Sequence, residues 1–316
     1  MHNKNSLSIV VSVFNEENNI KLVYKDIKKY IPSSIKNYEI IFVNDGSTDN
    51  SLEEMKKLLS SDKNIKIVNL SKNFGHEIAM TAGMDHSKMD AIIFMDADLQ
   101  HPAKYIPQMV KLWKENNQEV VLTRRVLNRD YSIFNNITNF LFYKIFNFLS
   151  DTKIEQNMSD FRLIDKKYRT ILEKMHENNR IFRGMLHWIG VPHNKYSIIE
   201  FSAPKRIEGK SKYSFKKSLA LAINSIMQFS IKPLRFSIYL GIIANIFSIC
   251  FGIYTIMEYF IHNKPPTGYT SIVTIIVFMG SVQLIALGII GEYIGRIHLE
   301  VKKRPLYTSE LITSNK

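Results

Sequence analysis

The sequence predicts an α/β protein with a mainly parallel sheet, followed by an interfacial amphipathic helix and a two-helix transmembrane hairpin. Three observations lead there. Short apolar runs alternate with amphipathic segments over the first 125 residues, as in repeated βα units wound by right-handed crossovers. The apolar runs end in polar and acidic residues, which a parallel sheet gathers along one edge. Near the end lie two stretches, Phe236–Met257 and Ser271–Gly291, of roughly 21–22 residues without a formal charge.

Ile9–Val13, Glu39–Val43, Ile65–Leu70, Ala91–Met95 and Glu119–Thr123 read as strands. Between them Ile20–Tyr30, Asp49–Ser60, Gly75–Ser87 and Pro102–Glu115 read as helices. The start, MHNKNSLSIVVSVF, lacks the basic, apolar and small-residue regions of a signal peptide, and its apolar part is better taken as a strand. Asp130–Leu149 is rich in Phe and Tyr and suits an interfacial helix or a core helix equally. Ser214–Ile231 carries Phe215, Leu219, Ile223, Ile226 and Met227 at helical spacing, with Lys216 and Lys217 near its start, the form of a helix lying in a membrane interface. This gives a catalytic-type domain over 1–213, an interfacial helix over 214–233, a hairpin over 234–298 and a tail over 299–316.

The 316 residues are 45% apolar, enough for a real core, and the net charge is +13. Such a charge calls for a polyanionic partner: nucleic acid, anionic lipid or a phosphorylated substrate. Nucleic acid is disfavoured because much of the excess flanks the apolar stretches and a basic loop. Lys216, Lys217, Lys232 and Arg235 precede the first stretch, Arg296, Lys302, Lys303 and Arg304 follow the second, and only Lys264 lies between, which predicts cytoplasmic termini on both sides of the hairpin. The single cysteine, Cys250, excludes an intrachain disulfide and disfavours cysteine-based metal or redox chemistry.

The chemistry sits in AIIFMDADLQHP, residues 91–102. Asp96 and Asp98 follow a buried-type strand, and two carboxylates one residue apart can hold a hard divalent cation that also takes diphosphate oxygens. After the second strand comes Asn44-Asp45-Gly46-Ser47-Thr48-Asp49. Gly46 suits a tight turn and Ser47 or Asp49 can cap the next helix, whereas Asp45 is left to accept hydrogen bonds from a ribose or base. No G-x-G-x-x-G follows any strand, so a dehydrogenase is disfavoured. Arg124 and Arg125, ending the fifth strand, suit bidentate phosphate contacts. Arg206-Ile-Glu-Gly-Lys-Ser-Lys-Tyr213 is a basic loop in which Arg206, Lys210 and Lys212 can close over two phosphates, or bind anionic lipid. His76, His86 and His101 share no ligand spacing and read as ordinary polar residues. Gly291 and Gly295 form a G-x-x-x-G that points to helix packing and self-association.

SIVVSVFNEENNI, EIIFVNDGSTDNS, NLSKNFGHEIAMTAG and IIFMDADLQHP, in that order, resemble the GT-A domain of family 2 glycosyltransferases, and within it the polyprenyl-phosphate branch of bactoprenol glucosyltransferases and dolichyl-phosphate mannose synthases. The resemblance continues through MSDFRLID, RIFRGMLHWIG, RIEGKSKYSF and GIIGEYIGRIHLEVKKRPLY. Departures are mild: Ser12 stands where the family often has proline, Asn44 where it often has aspartate, and Ala103 where a second proline is common.

The resemblance implies metal-dependent transfer of a sugar, with inversion, from a nucleotide diphosphate to a polyprenyl phosphate. UDP-glucose and undecaprenyl phosphate are the first expectation, serving cell-surface glycan modification such as O-antigen or cell wall. GDP-mannose, UDP-GlcNAc, UDP-galactose and aminoarabinose donors stay open. It implies Mg²⁺ or Mn²⁺ on Asp96 and Asp98, with Gln100 near metal and sugar. Phe14, Glu16 and Asp45, with Asp96, Arg206, Lys210 and Lys212, would bind the nucleotide-sugar. Arg124, favoured over Arg125 as the catalytic arginine, and Arg125 and Lys212 would meet the acceptor phosphate. Asp160 would face sugar and acceptor, as base or as orienting group, with Arg162 paired to it. Implied partners are a membrane, a second copy of the chain and a separate flippase. A processive polysaccharide synthase is disfavoured by the absence of Q-x-x-R-W, and a non-catalytic membrane-tethered nucleotide-sugar sensor by the presence of both aspartates and the basic loop.

Overall fold

A computed structural model of the chain describes residues 4–126, 157–175, 177–202, 204, 230–262 and 268–313. It divides into two units: one made of 1–143, 153–213 and 305–316, the other of 144–152 and 214–304. The Asp130–Leu149 segment, nearly all of the 214–231 interfacial helix, and Arg206, Lys210 and Lys212 of the basic loop lie outside the described residues.

The first unit is a sheet with helices on both faces. Its strands are β1 (Ser6–Val13), β2 (Asn37–Asn44), β3 (Ile65–Leu70), β4 (Ala91–Asp96), β5 (Val120–Arg125), β6 (Arg162–Asp165), β7 (Tyr196–Phe201) and β8 (Ser309–Thr313). They lie in the order β7-β5-β6-β4-β1-β2-β3-β8. β3, β2, β1 and β4 are parallel neighbours, as their near-continuous Val/Ile runs require, and β5 pairs parallel with β7. The five strands read from the sequence are all present, each within three residues of the expected bounds.

Alternation along the pleat sends residues to opposite cores. Leu7, Ile9, Val11 and Val13 of β1 pack with α1 (Ile20–Tyr30), α2 (Ser51–Ser61) and α4 (Ile106–Lys114). Val10 packs with α3 (His76–Asp85), α5 (Lys166–Glu173) and α6 (Phe182–Ile189) on the other face. Gly83 of α3 is required there, because a Cβ would meet Val10 Cγ1 at 2.2 Å.

Two antiparallel strands modify the parallel plan. β6 is inserted between β4 and β5, with Phe94 opposite Arg162, and this register carries Asp160 to the level of Asp96. β8 pairs with β3, and Tyr307 donates to Asp85 Oδ2 at 2.8 Å. The segment read as a tail over 299–316 therefore ends as an edge strand of the sheet, completing pairing that β3 would otherwise leave open.

The second unit contains α7 (Lys232–His262) and α8 (Tyr269–Val301), which pack together through Ala244, Val282 and the Phe247–Phe278 ring pair. Leu234–Glu258 and Ile272–Val301 are long and apolar enough to cross a membrane, with Ile and Phe side chains outward. At 33 residues α8 is about 50 Å long, well beyond the ~30 Å of a bilayer's hydrocarbon, so it continues past the apolar stretch into Glu292, Arg296 and Glu300.

Gly46 gives a test of the edge. It sits at φ +64°, and a Cβ would lie 2.3 Å from the Lys72 carbonyl carbon and 2.4 Å from the Asn73 nitrogen. Gly46→Ala is expected to destabilise the unit by at least about 1–3 kcal/mol, read as a lower Tm by circular dichroism of the purified protein.

Candidate active site

The loops leaving β1 and β2 interlock. Asn15, in a left-handed conformation at φ 55°, donates its N–H to Ser47 Oγ, and Asn15 Oδ1 accepts from the Thr48 N–H. The Glu16 N–H reaches Ser51 Oγ and the Asn50 N–H reaches Glu17. Phe14 is half-buried at the end of β1, and the Glu16 carboxylate accepts from Asn19 Nδ2 at 2.6 Å.

Asp45, read from the sequence as a nucleoside contact, also holds the loop before α3. It is 3% exposed, and its two oxygens accept the Phe74 and Gly75 N–H groups at 2.7 and 3.0 Å. Burial pushes its carboxyl up, against the pull of those two donors. The residue fixes the loop that starts α3, a role invisible in the sequence because the partners are 29 and 30 residues away.

α3 begins at His76, and this imidazole joins the acidic groups. Ser12 Oγ donates to Asp96 Oδ1 at 2.9 Å and lies 3.1 Å from His76 Nδ1. His76 Nδ1 is 3.4 Å from Asp96 Oδ1, and Nε2 is 3.5 Å from Asp160 Oδ2. Burial alone would push the imidazole down. The charge of Asp96, and then that of Asp160, overcome this and raise it to about 10, which favours the imidazolium. Asp96 in turn is held below the usual carboxylate range against its own burial, chiefly by the His76 charge.

His101 is the opposite case. Its Nδ1 accepts the Asp96 N–H at 3.0 Å, which leaves Nε2 to donate to Ser159 Oγ at 2.8 Å, and burial pushes its pKa down. The neutral ring stacks on Phe161 at 5.3 Å. His76 and His101 escaped the sequence reading because their convergence is tertiary; their places just after Gly75 and just before Pro102, each at a strand-to-helix turn, were the available signal.

Asp160 is the most constrained group. Arg162, 1% exposed, and Arg183 both grip it, Arg183 through Nε at 3.1 Å and Nη2 at 2.9 Å. Burial would raise its pKa, but the Arg183 and Arg162 charges hold it well below the carboxylate range. The Arg162 pairing read from the sequence is present, and Arg183 joins it.

Past β4, Leu99 takes a left-handed φ of 63°, and the Gln100 N–H returns to Asp98 Oδ1 at 3.0 Å. Gln100 Oε1 accepts from Arg125 Nη2 at 2.7 Å. Arg124, which the sequence favoured, is 3.8 Å from Glu200 on β7. Successive strand residues point to opposite faces, so only Arg125 shares the Gln100 side.

Asp96 and Asp98 fit a hard divalent cation. Both are oxygen donors at one strand end, and among the described residues no cluster of three or more His, Cys, Asp or Glu encloses an ion. Two carboxylates leave the other coordination positions to phosphate oxygens and water, the usual arrangement for Mg²⁺ or Mn²⁺ at a nucleotide.

A mainly parallel sheet with this acidic edge defines a GT-A-type transferase domain. The profile of glycosyl transferase family 2 matches residues 8–174, that of the GtrB C-terminal hairpin matches 232–297, and the chain belongs to glycosyltransferase family 2. It is 38% identical over 300 residues to the uncharacterized glycosyltransferase YkcC of Bacillus subtilis strain 168, covering 95% of this chain and 92% of that one. It is 36% identical over 310 residues to the bactoprenol glucosyl transferase of Shigella phage SfX, covering 98% and 99%. Among solved structures, glucosyl-3-phosphoglycerate synthase from Mycobacterium tuberculosis, in complex with Mn²⁺, uridine diphosphate and phosphoglyceric acid, shares the fold with a TM-score of 0.51 at 16% identity, over 71% of this chain and 76% of that one.

Two predictions follow from the geometry. Arg125→Ala is expected to lower kcat of sugar transfer by at least about tenfold more than Arg124→Ala, because only Arg125 holds Gln100. Asp160 is ionised at every pH above the ordinary unfolded value of about 3.9, so the stability it confers is present there and lost as pH falls through its depressed folded pKa. Asp160→Asn should therefore lower activity by one factor across pH 5.5–8.5, without moving a limb of the profile. It should also cost about 3–5 kcal/mol of stability in denaturant, since it leaves the buried Arg162 unpaired.

Proposed function

We propose that this glycosyltransferase moves glucose from UDP-glucose to undecaprenyl phosphate at the cytoplasmic face of a membrane, with inversion, forming a lipid-phosphate-linked sugar for cell-surface glycan modification. The observation that carries the reading is the union, in one chain, of the Asp96/Asp98 edge with the hairpin α7–α8. Relatives named as bactoprenol glucosyl transferases, matched over almost their whole length, support the acceptor and the sugar.

Asp96 and Asp98 would hold Mg²⁺ or Mn²⁺, which when bound neutralises charge on the departing diphosphate. The mycobacterial synthase with Mn²⁺ offers a parallel in fold. Ser12 and His76 fix the Asp96 carboxylate; Gln100, held by Arg125, faces the same edge. Phe14 and Glu16 are assigned to the nucleoside, with Asp45 shaping the loop beside them. Arg206, Lys210 and Lys212 are assigned to the phosphates, and Arg125 to the acceptor phosphate. Asp160 orients through its arginines and removes no proton. None is required of it, because a phosphate monoester with its second pKa near about 6 is already largely dianionic at neutral pH.

Membrane sidedness has two supports. Basic residues flank the hairpin's outer ends. The chain also leaves the catalytic unit before α7 and rejoins its sheet through β8 after α8, which calls for an even number of crossings. Self-association through Gly291 and Gly295, and a flippase for the product, complete the proposal.

Radiolabelled transfer from a panel of UDP- and GDP-sugars to undecaprenyl phosphate, with full-length purified enzyme and Mg²⁺, tests it. Label from UDP-glucose in the lipid fraction is expected, with Asp98→Ala and EDTA each lowering it by at least about 10²-fold. Label from a different donor would replace the sugar, and none from any donor would remove this acceptor.

A further inference from the structure

Ser12 stands directly beside Asp96 in the ladder of β1 with β4, so the two side chains leave the same face of neighbouring strands. A serine hydroxyl has one proton, and here it goes to Asp96 Oδ1 at 2.9 Å. His76 Nδ1, 3.1 Å from the same hydroxyl, can then only donate to it. The result is a directed chain, in which His76 donates to Ser12 and Ser12 to Asp96.

This chain makes the two oxygens of Asp96 unequal. Oδ1 is taken by Ser12 and lies 3.4 Å from the His76 ring. Among the described residues Oδ2 has only His101 Nδ1 near it, at 3.7 Å, and that nitrogen accepts the Asp96 N–H and has no proton to give. One oxygen is therefore held by the protein and the other is open to a ligand. Cations differ in how they use such a group: Ca²⁺ takes roughly six to eight oxygens and readily both of one carboxylate, whereas Mg²⁺ and Mn²⁺ favour a tighter octahedral set of single oxygens.

We propose that Ser12 is a positioning residue for the divalent cation: by occupying Oδ1 it restricts Asp96 to one ligand oxygen, Oδ2, and so selects Mg²⁺ or Mn²⁺ against Ca²⁺. The inference rests on the assignment of Asp96 and Asp98 to a cation and adds which cations the edge turns away. Ser12 acts through Asp96, so its mark is a change in the relative affinity of two metals.

The test measures metal binding directly. Mn²⁺ is titrated into full-length purified enzyme saturated with UDP and followed by electron paramagnetic resonance, and Ca²⁺ affinity is read from its displacement of bound Mn²⁺. The wild type should prefer Mn²⁺ by about tenfold or more, and Ser12→Ala should weaken Mn²⁺ by about tenfold while moving Ca²⁺ by less than about threefold. Ser12→Thr, which keeps a hydroxyl, should retain the wild-type preference. A merely structural role for Ser12 would weaken both metals together and leave their ratio unchanged. An unchanged ratio in Ser12→Ala, or a wild type that does not distinguish the two cations, would overturn the assignment. Absence of Mn²⁺ binding in the wild type is a separate result, and it would remove the cation from this edge and the inference with it.

Discussion

Arg162 is buried to 1% exposure, and a guanidinium so far from water is tolerable only with a carboxylate against it. Much of the site depends on that pairing. Asp160 is held there by Arg162 and again by Arg183, and its level on the edge is set by the antiparallel register of β6 on β4. His76 then spans Asp160 and Asp96, and Ser12 braces Asp96 from β1. Four segments distant in sequence are thus joined by charge at one end of the sheet. The Arg162–Asp160 pair, the buried part of that chain, is costly to break, which holds the junction of β6 with the edge in place.

The inserted strand is also what separates this sheet from a simple doubly wound one. A run of parallel strands would place only their terminal residues on the edge. β6 runs the other way, so the residues before it, Ser159 and Asp160, arrive at the edge from the opposite direction and face the Asp96 turn. His101 seals the junction, accepting the Asp96 N–H and donating to Ser159. The edge is therefore closed on both sides of β4: by β1 with Ser12, and by β6 with Asp160.

The parallel strands, the helices between them and the two long apolar helices were legible because their signals are local: apolar runs, amphipathic spacing and uncharged length. Asp96 and Asp98 were legible for the same reason, being one residue apart at the end of such a run. The hold of Asp45 on the Phe74 and Gly75 N–H groups is not legible in the sequence, because those donors belong to another loop. The contact between Arg125 and Gln100 is not legible in the sequence, because motif position does not report which side of a pleat a residue faces. β8 was read as tail because five residues of exposed strand carry little pattern until β3 offers a partner. His76 and His101 share no spacing in the sequence because they follow different strands, β3 and β4, and converge only on Asp96.

The electrostatics of the edge also constrain the kind of nucleophile it can serve. Asp160 is committed to two arginines and sits well below the ordinary carboxylate range, so it is a poor proton acceptor. The Asp96 and Asp160 charges favour the protonated form of His76, and His101 spends its Nδ1 lone pair on the Asp96 N–H. A sugar or protein hydroxyl, which must lose a proton as it attacks, would find each of these three groups unsuited to take it. A phosphate monoester brings its own charge and needs only to be placed. The same pairings that make Asp160 and His76 useless as bases make them stable supports, and an enzyme whose acceptor arrives ionised can spend its carboxylates on geometry.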